Sequence, residues 1–134
     1  MNNMIAKSNF ILTCEQAFLT ANTNNLNLIG IFTNINAEQF PLVYRRFDLI
    51  VNFDIDTPGM HGLKTVMTDQ EGNDVVQSEV GINVSSNTFQ VITHFENLTF
   101  AKPGKYELKV YIDSQHIGSR FLTVNPMISH KAVA

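Results

Sequence analysis

The stretch Arg46-Phe47-Asp48-Leu49-Ile50-Val51-Asn52-Phe53-Asp54-Ile55-Asp56 decides the fold class. Phe47, Leu49, Val51, Phe53 and Ile55 alternate with Arg46, Asp48, Ile50, Asn52, Asp54 and Asp56. A two-residue period sends one row into a core and the other toward solvent, which is the signature of a strand. Thr57-Pro58-Gly59 then ends it, because proline fixes φ and glycine permits a turn.

The same pattern recurs in both directions. Strands are expected over residues 10–19, 26–34, 63–68, 75–84, 89–100 (with a bulge near Asn97), 106–112 and 117–124. Turn signals separate them: an Asn-rich loop at 22–25, Asp69-Gln70-Glu71-Gly72-Asn73, Ser85-Ser86-Asn87, Lys102-Pro103-Gly104 and Asp113-Ser114-Gln115-His116. About eight short strands with turns every ~8–12 residues indicate an all-β, two-sheet antiparallel sandwich of immunoglobulin-like type. Two short helices remain as alternatives, at 14–21 and 36–39. The register of the last hairpin is open, since two-residue and three-residue turns put opposite rows of 117–124 inside. The organisation expected is a lead-in at 1–9, one domain at 10–125 and a tail at 126–134.

At 134 residues the chain is long enough to bury a core without disulfide or metal support. Only 16% of its residues are charged and the net charge is −3, so no clustered basic footprint for nucleic acid is present. Cys14 is the sole cysteine, which excludes an intrachain disulfide and suits a reducing compartment. The first residues carry no long apolar run, so neither a signal peptide nor a membrane span is expected, and the location expected is cytoplasmic.

One strand breaks the rule of a single polar face. Leu28, Gly30 and Phe32 form one row and Ile29 and Ile31 the other, and both rows are apolar. Ile50, Ile92 and Tyr111 also fall on rows expected to face outward. Contiguous exposed apolar surface marks interaction sites, so Ile29, Ile31, Ile50, Ile92 and Tyr111 are the candidate interface, most simply between copies of this chain. The competing reading covers that face with the connection at 35–44.

Candidate chemistry is sparse. Asp54, Asp56, Asp69, Glu71 and Asp74 fall at strand ends, where loops could offer oxygens to calcium. Yet Asp69 to Asp74 also reads as a plain turn, with Asp, Gly and Asn present for backbone reasons. His61, His94, His116 and His130 show no local zinc spacing. Cys14 would need His94 or His61 beside it to act as a nucleophile, and otherwise is a small buried hydrophobe. Arg45-Arg46 could clamp a carboxylate or simply charge a strand edge. No phosphate loop or Gly-x-Ser-x-Gly motif occurs. Asn83-Val84-Ser85 and Asn97-Leu98-Thr99 match a glycosylation sequon without an accompanying secretion signal.

Cys14, Leu26-Asn27-Leu28-Ile29-Gly30-Ile31-Phe32, Phe40-Pro41 and Pro103-Gly104-Lys105-Tyr106-Glu107-Leu108-Lys109-Val110-Tyr111-Ile112-Asp113 together resemble an uncharacterised bacterial family of small immunoglobulin-like β-sandwich proteins. The resemblance implies a bacterial source and a sandwich fold, and no activity or functional residue. The function expected is a protein-binding or structural module that self-associates, with no catalytic role, no cofactor, no nucleic acid and no membrane. The alternatives are a small-ligand or metal-binding protein or enzyme with a loop-end acidic site, and a phage-encoded or defence-related accessory protein that binds a host factor.

Overall fold

The computed structural model describes residues 5–127, and within them the chain forms two sheets packed face to face. The strands are β1 (Ala6–Leu19), β2 (Leu26–Ile31), β3 (Asn34–Ala37), β4 (Leu42–Ile55), β5 (Gly59–Thr68), β6 (Asp74–Val84), β7 (Thr88–Phe100), β8 (Gly104–Ile112) and β9 (Gln115–Pro126). The first sheet has the order β2-β1-β4-β7 and the second β3-β9-β8-β5-β6. Neighbours are antiparallel except β3 and β9, which run parallel. The all-β sandwich expected from alternation is what forms, with nine strands rather than eight. Neither short helix exists: β1 runs to Leu19, and β3 takes Asn36 and Ala37 of the second position, with a bend following.

The ninth strand arises where one was expected across 26–34. Phe32 turns inward, where its ring meets those of Tyr44 and Phe47 with centroids 5.9 and 5.8 Å away. The chain then switches sheets, so 26–31 pairs with β1 while 34–37 pairs with β9.

The core sits between the sheets. β4 contributes Phe47, Leu49, Val51, Phe53 and Ile55, and β8 contributes Tyr106, Leu108, Val110 and Ile112, all buried. Phe47 stacks on Phe95 at 5.1 Å. Tyr106 fixes the arch between the sheets: its hydroxyl donates to the Lys102 carbonyl at 2.6 Å and its ring packs edge-on against Phe100. Gly104, at φ 149°, lies so close to Gln70 that a Cβ there would come within 2.7 Å of the Gln70 amide oxygen.

Two extra residues reset which rows face inward. In β1, Ser8 pairs with Phe53 and Phe10 with Asn52, which leaves Asn9 as the extra residue. In β9, His116 pairs with Tyr111 and Gly118 with Val110, which leaves Ile117 extra. The β8–β9 turn is the two-residue form, with Asp113 at φ 47° and Ser114 at φ 70°. Those two features settle the open register: Gly118, Arg120, Leu122 and Val124 all pair with core-facing residues or glycine of β8. The row therefore carries a cation into the sandwich. Arg120 donates from Nε to Thr13 Oγ1 at 3.2 Å and from Nη2 to the Phe32 carbonyl at 3.0 Å. It ties β9 to β1 at the point where the chain crosses between sheets.

Large-to-small changes in such a core lose both transfer energy and packing. Phe47→Ala is expected to lower stability by about 3–5 kcal/mol in denaturant unfolding. Val43→Ala, at a residue 58% exposed, is expected to change it by less than about 0.5 kcal/mol.

Candidate functional site

The outer face of the first sheet holds the most concentrated chemistry. Cys14, Asp48 and His94 stand side by side on β1, β4 and β7, because Cys14 pairs with Asp48 and Asp48 with His94. Asp48 is wholly buried despite lying on an outward row. Its Oδ1 accepts from His94 Nδ1 at 2.5 Å, and its Oδ2 accepts from the Ala17 backbone N–H at 2.7 Å. Arg46 Nε lies 3.8 Å from the same carboxylate. Since Nδ1 donates to Asp48, it has no lone pair to receive Arg46 Nη2, and their 3.4 Å approach is proximity alone.

The Ala17 contact explains why the face is closed. Pairing of β1 with β4 stops at Cys14, yet Ala17 returns to β4 through the Asp48 carboxylate. The β1–β2 hairpin therefore bends back over the outer face. Ala17, Leu26 and Leu28 pack with Cys14, Ile50 and Ile92 in a second, smaller apolar cluster. Gly30, at φ 69°, permits the bend, and a Cβ there would collide with Glu15.

This geometry corrects the candidate interface. Ile50 has no exposure and serves that cluster, with Ile92 half-buried at its edge. Tyr111 lies on the other sheet, beside His116 and Lys64. Ile29 and Ile31 are 52% and 56% exposed. The cover over Ile50 is the hairpin, not the connection at 35–44.

The arrangement also removes the case for Cys14 as a nucleophile. Asp48, not His94, is its ladder neighbour, so no imidazole lies directly across from the thiol to activate it. Burial, and then the Asp48 charge, push the thiol pKa up, opposite to the activation a nucleophile needs.

The acidic residues do not assemble. Asp56 precedes β5 and Asp69 follows it, and ten extended residues separate them by roughly 30 Å. Asp54 accepts from Asn9 Nδ2 at 3.0 Å and from Thr88 Oγ1 at 2.7 Å, in that order the causes of its lowered pKa. It lines an open cavity of about 430 Å³ with Lys7 and Asp56. At the other end Asp69 Oδ1 accepts the Asn73 and Glu71 N–H groups, both at 2.9 Å, which is the work of a turn residue. Glu71 pairs with Lys102, and Asp74 is exposed at the start of β6.

Two polar constellations escaped the sequence. Ser119 Oγ donates to Glu107 Oε2 at 2.7 Å and receives His116 Nε2 at 3.0 Å. The serine lies between acid and imidazole, so the imidazole is a donor and not its base. His61 sits between the Asp113 carboxylate and the Thr57 carbonyl. Both depend on which strands adjoin, which no local spacing reveals. His130 lies outside the described residues.

Two sheets, the β3–β9 parallel edge and the Tyr106 lock define an immunoglobulin-like β-sandwich. Residues 9–125 match the model of a family of unknown function (DUF6941), and the chain belongs to that family. Among solved structures, an immunoglobulin-like protein from Pseudomonas aeruginosa shares 12% identity, with 90% of this chain and 96% of that one covered and a TM-score of 0.51. The alkylpurine DNA glycosylase AlkC of Pseudomonas fluorescens, solved bound to DNA containing an abasic site analog, shares 9% identity over 92% of this chain, with a TM-score of 0.54. This chain spans 31% of that glycosylase. A comparison with curated protein sequences finds no match.

Removing the Asp48 carboxylate strands the Ala17 N–H beneath the hairpin. Asp48→Ala is expected to cost about 2–3 kcal/mol in equilibrium unfolding, the range for a charged hydrogen-bond partner. His94→Ala, whose side chain is 51% exposed, is expected to cost less than about 1 kcal/mol.

Proposed function

We propose that this domain is a binding module without catalytic activity, and that it meets a second copy of itself through the solvent-facing back of the β1–β2 hairpin. The observation that carries the reading is the placement of Phe18, Ile29 and Ile31, which are 42%, 52% and 56% exposed. Phe18 pairs with Asn27 and Gln16 with Ile29, so Phe18 and Ile29 are diagonal neighbours, about 7–8 Å apart in such a ladder. Single exposed apolar residues are ordinary. Phe18 and Ile29 on the back of a hairpin whose other face is packed on Ile50, with Ile31 exposed opposite Cys14 beyond Gly30, make an apolar patch of the kind that marks interaction sites.

An isologous pairing is the simplest match. The same patch on each copy meets itself about a two-fold axis, so one apolar surface suffices for both partners. Gly30 supports a side-chain contact over strand addition here, because its left-handed backbone interrupts the edge of β2. The catalytic alternatives have little support. Cys14, His94 and Ser119 each lack the base or proton direction that nucleophilic chemistry requires.

Sedimentation equilibrium across a wide concentration range is expected to reveal reversible dimers. Ile31→Asp is expected to dissociate them without lowering the melting temperature measured at dilute, monomeric concentration, because in the monomer the side chain is mostly in solvent. A strict monomer at high concentration, unaffected by Ile31→Asp, would overturn the reading.

A further inference from the structure

His61 is enclosed at one end of the sandwich, with only 9% of its side chain exposed. Its Nδ1 lies 2.6 Å from Asp113 Oδ2 and its Nε2 lies 2.7 Å from the Thr57 carbonyl oxygen. An ionised carboxylate and a carbonyl are both acceptors, so each ring nitrogen must carry a proton. A neutral imidazole has only one. The contacts as they stand therefore require the imidazolium.

Asp113 is fixed from its other side as well. Its Oδ1 accepts the Gly62 N–H at 2.7 Å, and its own N–H donates to the Gly62 carbonyl at 2.9 Å. The residue facing His61 on β6 is the apolar Ile82. Among the described residues Asp113 is the charged group that acts on the ring, and Thr57 offers a carbonyl alone. The hydrogen bond to Asp113, then that to Thr57, raise the pKa of His61 above the usual imidazole value. For Asp113, burial raises the pKa, but the Gly62 N–H and then His61 outweigh it, so the carboxyl stays ionised well into acid.

We propose that His61 is a pH-operated latch: as imidazolium it ties the β4–β5 turn at Thr57 to the β8–β9 turn at Asp113, and loss of its Nε2 proton frees the β4–β5 turn. The proton leaves Nε2 because Nδ1–H faces a full negative charge and is held more strongly. The remaining lone pair then opposes the Thr57 carbonyl. The sign follows from the raised pKa: the latch is complete below the unfolded imidazole value and is lost as pH rises through the folded one. The freed turn adjoins Asp56, whose N–H donates to the Ile5 carbonyl at 3.0 Å and whose side chain borders the cavity beside Lys7. Release on the alkaline side therefore loosens the wall of that cavity.

Nitrogen NMR of the ring and amide hydrogen exchange, at about pH 6 and about pH 8.5 to bracket a raised imidazole, test the latch. The ring is expected to be doubly protonated at the lower pH and the Nδ1–H tautomer at the higher. Protection of the Asp56 amide, corrected for intrinsic exchange, is expected to fall about tenfold or more between them, the equivalent of one charge-assisted hydrogen bond. Asp113→Asn supplies the control, since asparagine tolerates the left-handed turn position and can donate to Nδ1. In that variant a neutral Nε2–H ring keeps Thr57, and Asp56 protection is expected to be the same at both pH values. A ring already neutral at the lower pH, an Nε2–H tautomer at the higher, or an equal pH response in Asp113→Asn would each overturn the proposal.

Discussion

The Asp48 carboxylate lies on the outer face of a sheet and yet touches no solvent. Burying such a group costs several kcal/mol unless hydrogen bonds replace its water. Here the Ala17 N–H and His94 Nδ1 supply them, and Arg46 adds charge nearby. The same contact draws the end of β1 back across the sheet and roofs Ile50 and Cys14. Which apolar side chains remain exposed follows from that fold-back. The front of the hairpin is spent on the sheet, its back carries Phe18 and Ile29, and Ile31 is exposed beyond Gly30.

The rest of the sandwich divides its polar groups by role. On the second sheet the outward row mixes Lys64, Glu107, Lys109 and Ser119, an ordinary solvated face. Among the described residues only Arg120 brings a charge inward between the sheets, and it is held by a threonine hydroxyl and a carbonyl. At the ends, Asp69 and Asp113 stabilise turns, while Tyr106 fixes an arch.

Much of this fold was legible in the residues. The rows from Phe47 to Ile55 and from Tyr106 to Ile112 alternate cleanly because each strand has one face in the core. The doubly apolar stretch at Leu26–Ile31 was legible as an anomaly. Its cause was not, because the bend after Cys14 depends on a long-range bond to Asp48, and Gly30 was its sole local sign. The inward Arg120 was hidden by one extra residue at Ile117, which flips the row beyond it. The acidic candidates looked clustered because they sit at strand ends. The ten extended residues of β5 put Asp54 and Asp56 at one end and Asp69, Glu71 and Asp74 at the other. His61 and Asp113, 52 residues apart, meet only because β5 pairs with β8.

The outer face of the first sheet is closed by the fold-back of the hairpin, and the Ala17 amide reports on it directly. That N–H has a side-chain acceptor on another strand, at 2.7 Å. Native-state hydrogen exchange should find it protected nearly as strongly as the core amides of β4, since it opens only when the hairpin lifts from Asp48. Exchange at the rate of the exposed hairpin tip, Ala21 to Asn25, would mean that the hairpin stands free and that the outer face of the sheet is open.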